Sequence, residues 1–127
     1  MKNVLFLCEH GGAKSVIAAS LFNRLAAERG LPFVATAAAA GDPYDAVPKP
    51  VGDYLRGEGF DVGELEPHHA APEEIGAAER IIAIGCDVPG AHARWDDVPA
   101  ASEDLQGSVA AIHRHVEALA EDLDGDR

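Results

Sequence analysis

The sequence predicts a single-domain, three-layer α/β fold: a central parallel sheet of about four strands, helices on both faces, and an oxyanion-binding loop after the first strand. Three observations point there. Short, continuous apolar runs read as strands buried on both faces. Segments with apolar residues at helical spacing alternate with those runs, the pattern of a parallel sheet covered by helices. A glycine pair interrupts the chain between the first strand and the first helix, at the carboxyl end of the sheet, where such folds bind ligands.

The elements follow in order along the 127 residues. Asn3 to Leu7 is the first apolar run and the first strand. Ser15 to Arg29 carries Ile17, Leu21, Phe22 and Leu25 on one stripe and reads as an amphipathic helix, with Gly30 its stop and Pro32 following. Pro32 to Ala37 is the second strand, reached by a right-handed crossover. Ala38 to Pro48, rich in Ala, Gly, Asp and Pro, is a surface loop in which Tyr44 flanks the site or lies at the surface. Val51 to Gly59 is a short helix with Pro50 in its first turn. Pro72 to Ala78 is another, its Glu73 and Glu74 matching the helix dipole. Arg80 to Gly85 is a central strand with Cys86 just past its end. Trp95 to Pro99 is a loop, and Glu103 to Leu123 is the last helix, with Val109, Ile112, Val116 and Leu119 inward. No repeat or second domain emerges, so residues 1–127 form one domain.

Composition narrows the function. Asp and Glu number 22 against 10 Lys and Arg, a net charge of −12 that repels phosphate backbones and excludes general nucleic-acid binding. No apolar run reaches the roughly 20 residues of a membrane span. Met1 to Leu7 lack a signal peptide's apolar region and cleavage site, so the expected compartment is the cytoplasm. Two cysteines, Cys8 and Cys86, make no disulfide scaffold; each is a core thiol or a reactive one. Both fall at the ligand-binding ends of strands, which favours reactivity.

The segment Cys8-Glu9-His10-Gly11-Gly12-Ala13-Lys14-Ser15 has the parts of an oxyanion cradle. Gly11 and Gly12 let backbone N–H groups converge on one point, and the helix that follows adds its positive N-terminal end. Both stabilise negative charge on a nearby sulfur, and the thiolate is the nucleophile. Lys14 adds a cation, and Ser15 either caps the helix or hydrogen-bonds the Cys8 sulfur. His10 tunes the sulfur, contacts the anion, or packs beneath the loop. His68 and His69 are adjacent without further ligand spacing and read as a solvated loop, so no metal site is expected.

Cysteine, five residues, a basic residue and Ser, directly after the first strand, resembles the low molecular weight protein tyrosine phosphatases and the thioredoxin-coupled arsenate reductases that share their fold. The likeness spans nearly the whole chain. Ser15 to Leu25 matches the loop-to-helix segment, and Gly59-Phe60-Asp61-Val62 resembles the Gly-Ile-Asp stretch after the second helix. Arg80 to Cys86 resembles the strand ending in the reductases' resolving cysteine, and Trp95-Asp96-Asp97-Val98-Pro99 the loop carrying the general-acid aspartate. Two departures stand out. Lys14, a point charge, replaces the family's arginine, whose planar fork binds a tetrahedral anion through two parallel bonds. Val98 rather than Asp precedes Pro99, so the acid that the resemblance implies is Asp97 or Asp96, which must be displaced by a residue to serve.

The resemblance implies three functions, in order. In the first, an arsenate reductase-like enzyme, Cys8 attacks arsenate, Lys14 and the amides of Glu9 to Ala13 hold its oxygens, and Cys86 releases product as a disulfide forms. No resident cofactor is implied; a second resolving cysteine is absent, so a small thiol or a redox protein serves as reducing co-substrate. In the second, a phosphomonoesterase, Cys8 forms a phosphocysteine and Asp97 or Asp96 protonates the leaving group. In the third, an oxyanion-binding protein, catalysis is impaired. Partners are therefore small oxyanions or phosphomonoesters, with neither nucleic acid nor membrane.

Overall fold

The computed structural model describes residues 1–63 and 65–125. Its elements are β1 (Lys2–Cys8), α1 (Lys14–Arg29), β2 (Phe33–Ala39), α2 (Lys49–Gly57), α3 (Pro72–Ala77), β3 (Ala78–Ile84), β4 (Ala93–Trp95) and α4 (Leu105–Gly125). The strands form one parallel sheet in the order β2-β1-β3-β4. Cys8 is in register with Ala39, so β1 and β2 end together and both loops leave the same rim.

β1 is central because Val4 to Leu7 is apolar toward both faces. Val4, Phe6 and Cys8 face α1 and α4 together with Ile82, Ile84 and Trp95. Phe6 sits between the Phe22 ring at 6.0 Å and the Trp95 ring at 5.5 Å, which ties β1, α1 and β4 into one core. Leu5, Leu7, Ile81 and Ala83 face the other side with Ala38, Ala70 and Cys86. That side is thinly covered: α3 buries none of its residues, and the chain around Ala70 does much of the shielding.

Several boundaries move from expectation. β2 runs to Ala39 because pairing with β1 outweighs the alanine-rich composition. Ala39 also bonds to His68 and Ala70, which turns part of the expected solvated loop into a short edge on β2. β4 was not legible as a strand. Its three residues carry no periodicity, and pairing with Ile82–Ile84 alone defines it. Gly30 stops α1 as expected, left-handed at φ 66° and bonding back to Ala26 and Ala27. Among the described residues, no helix is long and apolar enough to cross a membrane.

Candidate active site

The chain leaves β1 at Cys8 and enters α1 at Lys14. Between them the loop is pinned from outside. The carbonyls of Cys8, Glu9 and His10 accept hydrogen bonds from the N–H groups of Ala40, Gly41 and Tyr44, at 2.9, 2.9 and 3.0 Å. In a trans peptide the N–H of the next residue points opposite to the carbonyl. The amides of Glu9, His10 and Gly11 therefore turn away from the 40–44 segment, toward the concave side of the loop. Gly11 makes this turn at φ 66°, and a Cβ there would lie 2.6 Å from the Ala39 nitrogen. Only glycine fits.

Gly11→Ala consequently strains the backbone and drives the loop off β2. We expect a lowered melting temperature and at least a tenfold loss in phosphate affinity by calorimetry, since several converging amides are lost together. Unchanged phosphate binding would mean the amides do not form the cradle.

Ser15 is fully buried, and its Oγ lies 3.1 Å from Cys8 Sγ. α1 has no side-chain cap, and its N-cap position is Ala13, so the capping alternative for Ser15 drops out and its hydroxyl serves the sulfur. Lys14 extends from the first residue of α1 toward the end of β3. Its Nζ lies 2.9 Å from where a Gly85 side chain would begin, a space left by the glycine. Among the described residues it has no ion-pair partner.

A cavity of about 390 Å³ opens above the loop, with Cys8, Glu9, His10 and Lys14 at its base. Tyr44 stacks on His10 at 4.6 Å, and Pro48, Pro50 and Val51 continue that wall. Ala100, Ala101 and Ser102 also line it. Tyr44 thus takes the site-flanking place that was one of its two alternatives, while the rest of the walls escaped sequence reasoning, because small residues in loops carry no chemical signature.

The structure does not bring Asp96 or Asp97 to the cavity. Asp96 pairs with Arg94 at 3.1 Å. Asp97 accepts a 2.7 Å hydrogen bond from His115 Nε2 on α4, which holds its carboxyl below the usual aspartate range. His115 is itself stacked on Trp95 at 4.7 Å, so this anchor is fixed to β4. Cys86 is buried on the other side of the sheet, its Sγ 3.6 Å from the carbonyl of Leu7, the residue before Cys8. Burial, and then the neighbouring Cys8, push the Cys86 thiol up, so it rests protonated. Gly85, left-handed at φ 65°, and Gly90, at φ 81°, bracket this segment. His68 lies away from the cavity, its Nε2 2.9 Å from Glu74.

A parallel α/β sheet with a cysteine-led loop between its central strand and first helix defines a structural class, the fold shared by low molecular weight protein tyrosine phosphatases and arsenate reductases. The chain is similar over 100% of its length to a thioredoxin-dependent arsenate reductase of Corynebacterium glutamicum (21% identity, TM-score 0.81), and it spans 64% of that longer chain. A low molecular weight protein tyrosine phosphatase from T. tengcongensis matches 96% of this chain across 99% of its own (17% identity, TM-score 0.81). An arsenate reductase from Archaeoglobus fulgidus matches 91% across 97% of its own (24% identity, TM-score 0.74). At these identities the likeness establishes the fold. The sequence matches no protein-family model, and no curated protein matches it either.

Proposed function

We propose that this chain, as one domain over residues 1–127, is a cysteine-nucleophile oxyanion enzyme of arsenate reductase type. The observation that carries the reading is the position of the second thiol, with Cys86 Sγ packed against the Leu7 carbonyl immediately behind Cys8. Cys8 thiolate attacks arsenate; with two protons, HAsO₄²⁻ loses one oxygen as water and leaves Cys8–S–AsO₃H⁻. The Cys86 thiol then attacks the Cys8 sulfur. The S–As bond breaks, its electron pair stays on arsenic as H₂AsO₃⁻, and a Cys8–Cys86 disulfide forms. The loop amides and Lys14 hold the oxygens, and Ser15 steadies the sulfur. A small thiol or a thioredoxin-like protein reduces the disulfide. Two free thiols in such a cycle suit a reducing, cytoplasmic setting.

The cavity supports a second reading. At about 390 Å³ it is larger than a tetrahedral oxyanion needs, and its walls are mainly apolar, as an organic phosphomonoester would require. Parallel assays of arsenate reduction with a thiol reductant and of aryl-phosphate hydrolysis decide between them. The reductase reading expects arsenite from arsenate in excess of one equivalent per chain. Hydrolysis without arsenite production would put the phosphatase first, and phosphate binding without either would leave an oxyanion-binding protein.

A further inference from the structure

Both chemistries need a proton at a departing oxygen. A phosphomonoester leaves as an alcohol only if its oxygen gains one proton, and arsenate loses water only with two. A positioned acid contributes typically 10²–10⁴-fold to such steps. The aspartates after β4 are held elsewhere, Asp96 by Arg94 and Asp97 by His115. The proton carrier must then come from the groups that do line the cavity.

Of those, Lys14 is the cation, its Nζ beside Gly85, and the Glu9 carboxylate is folded over Gly41. His10 differs. Its Nδ1 lies 2.8 Å from the carbonyl oxygen of Asp42, which can only accept, so Nδ1 carries a hydrogen. Its face is held by the Tyr44 ring at 4.6 Å. Among the described residues Nε2 has no hydrogen-bond partner. A ring fixed at one nitrogen and one face, with the other nitrogen free on a residue that lines the same cavity as Cys8, is arranged for proton exchange, and histidine is the side chain suited to it near neutral pH.

Resting on the reading that Cys8 attacks an oxyanion or phosphoryl group, we infer that His10 is the catalytic acid and base of this cavity. As the S–P bond forms and the P–O bond breaks, imidazolium Nε2–H passes its proton to the leaving oxygen. The products are Cys8–S–PO₃²⁻, the alcohol and neutral His10. Water then attacks phosphorus, Nε2 takes one of its protons, and Cys8 thiolate, HPO₄²⁻ and imidazolium are regenerated. Nothing is oxidised. In arsenate reduction His10 supplies one of the two protons of the departing water and solvent the other.

His10→Asn tests this, because the asparagine amide can keep the bond to the Asp42 carbonyl while removing Nε2. kcat/KM is measured for phenyl, 4-nitrophenyl and 2,4-dinitrophenyl phosphates, with single-turnover arsenate reduction beside them. We expect a loss of about 10²-fold or more on phenyl phosphate and arsenate, only a few-fold on the dinitrophenyl ester, and partial restoration by added imidazole. Asp96→Asn and Asp97→Asn should follow the parent across the series. An equal loss on every ester without imidazole rescue would make His10 a structural residue and overturn the role. So would a Cys8-dependent parent that is indifferent to His10→Asn, or an Asp97→Asn variant showing the same leaving-group signature. A parent whose turnover survives Cys8→Ser overturns the enzyme reading itself and His10's role with it.

Discussion

Cys8→Ser should abolish both arsenate reduction and aryl-phosphate hydrolysis while leaving phosphate binding in place. Removing the nucleophile of an enzyme that works through a covalent intermediate costs on the order of 10⁶-fold in turnover. A serine hydroxyl, unlike a thiol, stays protonated at neutral pH and is a weak nucleophile, and the Ser15 hydroxyl that lies 3.1 Å from the sulfur is no base. Binding should survive because its donors are the amides that the bonds to Ala40, Gly41 and Tyr44 turn inward, together with Lys14. Calorimetric titration with phosphate, run beside the two activity assays, separates the effects. Turnover near the parent's in Cys8→Ser would remove Cys8 from the chemistry, whereas loss of phosphate binding alone would show that the thiolate also shapes the cradle.

Cys86→Ser should have the second largest effect, on one reaction only. Its hydroxyl can donate to the Leu7 carbonyl as the thiol does, so the fold tolerates the change. Without Cys86 an external thiol must resolve the Cys8–arsenic adduct, and replacing an intramolecular attack by a millimolar one costs roughly 10²-fold or more. Arsenate turnover at fixed reductant should fall by that much, while aryl-phosphate hydrolysis, which passes through Cys8 alone, persists. Mild oxidation of the parent followed by peptide mapping should yield the Cys8–Cys86 disulfide. The two thiols lie in cores on opposite faces of the sheet, so the Gly85–Gly90 segment must swing before they bond. Full arsenate turnover in Cys86→Ser, or no disulfide on oxidation, would leave Cys86 a core thiol.

The order of elements, the cysteine-led loop and the placement of both cysteines at strand ends were legible in the sequence. Continuous apolar runs, helical periodicity and glycine punctuation are local signals, and β1, α1, β3 and α4 each carry enough residues to express them. The extension of β2 to Ala39 and the existence of β4 were not legible. Alanines and a three-residue segment have no periodicity of their own, and pairing with neighbouring strands decides them.

At the site the division is sharper. The sequence by itself determined which residues form the loop between β1 and α1 beside the cavity, because Cys8 to Ser15 is contiguous and its geometry is dictated by two glycines, a strand end and a helix start. Only the tertiary structure decided the roles of single side chains. Ser15 had two plausible partners, and burial against Cys8 selected the sulfur. Asp97 was nominated by likeness along the chain, yet His115, 18 residues away on α4, binds it outside the cavity. His10 was one of several loop residues until the Asp42 carbonyl and the Tyr44 ring, brought over by the bonds between the loop and residues 40–44, fixed its orientation. A side chain's direction depends on partners far away in sequence, and those partners meet only when the sheet and helices have packed.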